Sequence, residues 1–79
     1  MRRKVMKTLY DVQQLLEEYG VLVHVGKRKW DIELMAIELD NIYRAGVLDQ
    51  RTFLNAKMIL NREHEYEERQ EREKKADKS

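Results

Sequence analysis

The chain has 79 residues, with 16 Lys or Arg against 15 Asp or Glu, a formal net charge of +1 and no cysteine. Its last stretch is too polar to join a core, which leaves roughly 60 residues for one small domain, near the lower limit for folding without disulfides and too few to enclose a deep catalytic cavity. The missing thiols exclude a disulfide framework, a thiolate nucleophile and a thiolate metal site, and point to a reducing compartment.

The opening "MRRKVMKTLY" is basic, but Asp11, Gln13 and Gln14 stand where a secretion signal needs an apolar run. No stretch approaches the 18 or so apolar residues of a membrane span. The expectation is a cytoplasmic protein with no membrane partner.

In "TLYDVQQLLEEYG", Leu9, Val12, Leu15, Leu16 and Tyr19 recur at three- and four-residue steps and form one stripe of a first helix. Thr8 is placed to cap it, with Asp11 as the acid of a capping box. Gly20 supplies the left-handed residue that ends it, with Val21 set to pack back on Leu16.

"VLVHVG" then alternates, so that in an extended chain Val21, Val23 and Val25 face one way and Leu22 and His24 the other. The sequence offers no second strand to pair with it. The segment is expected to run across the helices, the alternative being strand addition to another chain.

A second helix is expected from about Asp31 to Ala45, burying Ile32, Met35, Ala36, Leu39, Ile42 and Tyr43. Asp31 would be its cap, Trp30 and Met35 its hydrophobic staple, and Gly46 its stop, with Val47 packing on Ile42. Asp49 would cap a third helix, with Leu48 and Phe53 as staple and Phe53, Ala56, Met58, Ile59 and Leu60 as the core side.

Beyond Asn61 the apolar rhythm ends, but Glu65 with Arg69, Glu68 with Arg72 and Glu71 with Lys75 are oriented to support further helix. The reading is therefore all-α: a small elongated three-helix bundle over residues 1–62, with an extended segment between helices 1 and 2 and a charged, helical or fraying tail over 63–79.

Chemistry is sparse. Thr8 and Thr52 occupy caps or first turns, where hydroxyls have a structural job, and Ser79 is the terminal residue, so no hydrolase triad is expected. His64 and Glu68 have a metal-ligand spacing but are only two ligands, and His24 is expected at an edge. Gly20, Gly26 and Gly46 are too few and too scattered for a phosphate loop, and the acids of helix 2 do not follow the calcium-loop spacing. No catalytic residue, metal or cofactor is expected.

What remains is "GKRKW". Cations neutralise phosphates and an aromatic ring offers a stacking platform, so Lys27, Arg28, Lys29 and Trp30 are the candidate site for single-stranded RNA or DNA. The competing structural reading has Trp30 packed inward as a staple and the three cations solvated. A second basic block, Arg2, Arg3, Lys4 and Lys7, would add to the site if the fold brought it near. The alternative function is a protein-interaction or self-assembly module, a homo-oligomer or a complex with another protein, using the extended segment or a helix face. Nucleic acid is preferred because every apolar stripe has a core to fill.

"LYDVQQLLEEYG", "DIELM" and "AGVLDQRTFLNAKMIL", in this order and spacing, resemble the YqgQ family, short proteins of Gram-positive bacteria. The likeness runs from about Met6 to Arg62. It implies a cytoplasmic, elongated three-helix bundle and brings no reaction, cofactor or catalytic residue to carry over.

Overall fold

The computed structural model describes residues 5–24 and 26–77, with side chains through residue 73. Arg2, Arg3 and Lys4 of the first basic block, and Val25 of the alternating segment, lie outside the described residues. Three helices follow in order: α1 (Leu9–Glu18), α2 (Arg28–Arg44) and α3 (Gln50–Asp77). No strand occurs among the described residues.

The ends of α1 are set by local chemistry. The Asp11 amide donates to Thr8 Oγ1 at 3.2 Å, and the Thr8 amide donates to Asp11 Oδ2 at 3.1 Å, which completes the capping box. At the other end Gly20 has φ +79°, and the amides of Gly20 and Val21 donate to Glu17 and Leu16. This is the two-bond closure that a left-handed glycine permits. Past it the chain is extended. Val21 is half-buried and Val23 buried, while Leu22 and His24 are exposed, so the alternation seals the bundle on one side.

α2 begins three residues before the sequence suggests. Its N-cap is Lys27, extended at φ −103° and ψ 123°, and no side chain caps it. Asp31 lies in the first turn, where its charge suits the positive end of the helix, and its amide donates to the Lys27 carbonyl at 2.9 Å. Trp30 is therefore inside the helix rather than before it. It is 51% exposed and does not serve as an inward staple.

Gly46, at φ +79°, turns the chain into α3, and Leu48 is buried at the corner while Val47 is left exposed. Asp49 caps α3 as expected, accepting from the Thr52 amide at 3.0 Å. Across this corner the rings of Tyr43 and Phe53 stack nearly parallel with centroids 4.0 Å apart. The Tyr19 hydroxyl donates to the Val47 carbonyl at 3.2 Å and ties the end of α1 to the same turn.

α2 packs mainly along α3, and α1 lies against both. The core joins Val12, Leu15 and Leu16 of α1 to Ile32, Met35, Leu39 and Ile42 of α2 and Ala56, Ile59 and Leu60 of α3. Met6, ahead of α1, is also buried, because its amide and carbonyl pair with the Asn55 side chain at 2.9 and 3.1 Å. Met58, expected inside, is 68% exposed: α1 and α2 cover only one side of α3, and Met58 lies on the other with Leu54.

The outline measures 51 × 21 × 19 Å, and the radius of gyration is 14.0 Å, against about 12 Å for a globular chain of this length. The cause is α3. Its 28 residues span about 42 Å at 1.5 Å each, and it crosses residue 62 without a break. The molecule is a small, elongated all-α three-helix bundle.

Candidate functional site

The opening turn of α2 carries the three cations of "GKRKW" at the helix end where positive charge is least favourable. Each has a partner. Lys27 Nζ lies 4.8 Å from the centroid of the Trp30 ring. Arg28 reaches two acids of α3, Nη2 to Glu63 Oε1 at 3.2 Å and Nε to Glu67 Oε2 at 3.5 Å. Lys29 Nζ meets Glu71 Oε2 at 3.3 Å. Glu63, Glu67 and Glu71 stand one helical turn apart on one face of α3, so a row of three carboxylates lies along the basic turn.

One turn further on, His64 bridges the helices, with Nε2 2.8 Å from Glu33 Oε2 on α2 and Nδ1 3.2 Å from Glu68 Oε1 on its own helix. The pairs are partly exposed, Arg28 at 56% and Glu71 at 56% of their side chains, so each is individually weak. Together they form a polar seam that docks the charged part of α3 onto α2 where the apolar core has ended. A cleft of about 310 Å³ opens along it, lined by Lys27, Arg28, Lys29, Glu67, Gln70 and Glu71. Its walls carry both signs of charge.

The seam places the four residues named from the sequence together in one turn, as any helix start must. Of the other basic block only Lys7 is among the described residues; it lies ahead of α1, where its amide donates to Asp11 Oδ2 and its carbonyl accepts from Arg62 at 2.7 Å. His24 is exposed on the extended segment. Among the described residues no group of three or more His, Cys, Asp or Glu is arranged to hold a metal ion, and no helix is long and apolar enough to cross a membrane.

Sequence reasoning missed Glu63, Glu67 and Glu71 as partners of the cations. A signal was present in their four-residue spacing, but nothing local says which helix they face. It also missed the outward side of α2. Trp30, Leu34 and Ile37 are 51%, 40% and 54% exposed and succeed one another at four- and three-residue steps. At 3.6 residues per turn they point about 160° away from Ile32, Met35, Leu39 and Ile42, which fill the core. α2 is thus apolar on two opposite faces, and the premise that every apolar stripe has a core to fill does not hold.

The match with the YqgQ-like family model covers residues 6–66. It includes the basic turn, the outward stripe, Glu33, Glu63 and His64, and it ends before Glu67, Glu68 and Glu71. The chain is also similar to a Bacillus subtilis (strain 168) protein described as "Uncharacterized protein YqgQ", with 38% identity over 60 residues, covering 76% of this chain and 84% of that protein. With the matched segment holding all of α1 and α2 and the apolar part of α3, the chain belongs to the YqgQ-like family.

Proposed function

We propose that the protein is a non-enzymatic docking module whose recognition surface is the outward face of α2. The observation that carries this reading is the run Trp30, Leu34, Ile37, three large apolar side chains held in line on a rigid helix opposite its core face. Single exposed apolar residues need no explanation, whereas an ordered stripe on one element is the geometry by which helices meet partners.

The test is a photo-crosslinking amino acid at position 34, with position 65 on the solvent side of α3 as control. In cells that express the protein, irradiation is expected to give a discrete adduct from position 34 and none from position 65, and Ile37→Glu is expected to abolish it. Absence of an adduct from position 34 would overturn the reading.

A second reading, single-stranded nucleic acid at Lys27, Arg28, Lys29 and Trp30, is favoured by one observation: the Trp30 ring is half-exposed with a cation over it. Against it, Glu63, Glu67 and Glu71 already occupy two of the cations. If phosphates compete with these acids, changing all three to Gln tightens binding of a labelled RNA or DNA oligomer, and log affinity falls against log salt with a slope near −2, from about −0.7 for each of three phosphates. Anisotropy that is unaffected by the substitutions sinks this reading.

A further inference from the structure

The outward stripe of α2 is self-complementary. Trp30 and Ile37 are equidistant from a point between Glu33 and Leu34, and Leu34 lies almost on it. The flanking charges share that centre. Lys27 and Glu38 fall on one side of the stripe, about 20° apart around the helix and about 16 Å apart along it. Lys29 and Asp40 stand in the same relation on the other side. Each flank carries a cation near the start of α2 and an acid further along, with Asp31 on the first flank and Glu33 on the second one turn after the cation, and the midpoints of the two outer pairs average to the centre of the apolar run.

We infer that the partner on this face is a second copy of the chain, packed with its α2 antiparallel across a two-fold axis near Leu34. This rests on the docking reading of that face. A two-fold contact sets the same patch against itself. In the antiparallel sense Trp30 of one protomer meets the apolar part of α2 at Ile37 of the other, and Leu34 packs about its symmetry mate. Lys27 of each protomer then faces Glu38 of the other, and the basic turn lies over the acidic flank. A parallel arrangement would set the cations of one copy against those of the other, a like-charge juxtaposition that interfaces avoid.

Lys29 and Asp40 are held within the chain by Glu71 and Lys57, both at 3.3 Å, and Glu33 near the axis is held by His64. Lys27, which lies over the Trp30 ring of the stripe itself, and Glu38 are therefore the pair that tests the arrangement. The apolar stripe is short, about 10 Å from Trp30 to Ile37, and the contact it forms is weak and reversible rather than obligate.

The experiment is sedimentation equilibrium of the full chain from about 5 to 500 μM, a range that brackets micromolar dissociation constants, at near-physiological salt, with circular dichroism to show that each variant folds. The wild type is expected to dimerise and Ile37→Lys to remain monomeric. Lys27→Glu and Glu38→Lys each weaken the dimer by roughly 2- to 30-fold, the effect of two exposed ion pairs, and the double variant K27E/E38K restores it. A monomer throughout the range, or a double variant no tighter than either single one, overturns the inference.

The position-34 crosslink separates this failure from failure of the docking reading. An adduct of twice the chain mass is the expected product. An adduct with another protein from a chain that sediments as a monomer overturns self-pairing and leaves docking standing. No adduct removes both.

Discussion

Replacing Glu63 and Glu67 by Gln tests whether the basic turn of α2 is there to hold α3. Arg28 meets the two acids at 3.2 and 3.5 Å with its own side chain 56% exposed. Exposed pairs contribute about 0.2 to 1 kcal/mol each, so two of them discounted for screening give about 1 kcal/mol of coupling. Arg28 also lies at the positive end of α2, where a cation costs about 0.3 to 1 kcal/mol.

Arg28→Ala alone therefore changes stability little, because the lost attraction is offset by relief at the helix end. The pair E63Q/E67Q destabilises by about 1 kcal/mol, which lowers the melting temperature by about 4 to 8 °C in a domain this small. In an Arg28→Ala background the same two substitutions cost only what the longer Arg62–Glu63 pair at 3.8 Å contributes, about 0.2 kcal/mol. Thermal melts followed at 222 nm give all four corners of the cycle. Repeating them in 1 M salt, where the Debye length falls to about 3 Å, should remove most of the coupling. A coupling below about 0.3 kcal/mol at low salt, within the scatter of independent sites, would refute the account of the seam.

Other consequences can be measured in the same way. Thr8→Ala removes the acceptor of the capping box and is expected to cost about 0.5 to 2 kcal/mol, with Thr8→Ser recovering most of it in denaturant melts. Leu39→Ala opens a cavity at a side chain with no exposed surface and is expected to cost about 2 to 5 kcal/mol, whereas Met58→Ala on the open side of α3 stays within about 0.5 kcal/mol. Equal costs would contradict the placement of α3. Asn55→Ala leaves both backbone groups of Met6 unpaired, at about 1 to 3 kcal/mol, and amide exchange at Met6 should rise more than at Leu15.

The parts of the fold that could be read from the sequence are those that local chemistry decides. Thr8 with Asp11, Gly20, Gly46 and Asp49 place four helix ends through contacts within five residues. The alternation of Val21 to His24 orients the extended segment by geometry alone. The start of α2 escaped because Asp31 is a better cap than Lys27 in isolation. What favours an earlier start is long-range: Arg28 and Lys29 gain partners 35 and 42 residues away only if they are helical. Met6 escaped similarly, since Asn55 buries it from 49 residues away. For the candidate site, the residues of "GKRKW" were visible, but their partners and the outward direction of Trp30 were not. The apolar spacing of Trp30, Leu34 and Ile37 could have been noticed as a second face, since one helix cannot turn both faces to one core.

Trp30 is the sole tryptophan of the chain and stands at one end of the outward stripe, so its fluorescence reports directly on whether that face is covered. The decisive measurement is acrylamide quenching of Trp30 across protein concentrations from dilute to about 1 mM, a dissociation constant near the weak limit of specific association. Pairing of α2 with its copy predicts that quenching falls and emission shifts to the blue as concentration rises, and that Ile37→Lys abolishes both changes. A quenching constant that stays flat over the whole range, with Trp30 as open as its half-exposed position implies, would contradict it.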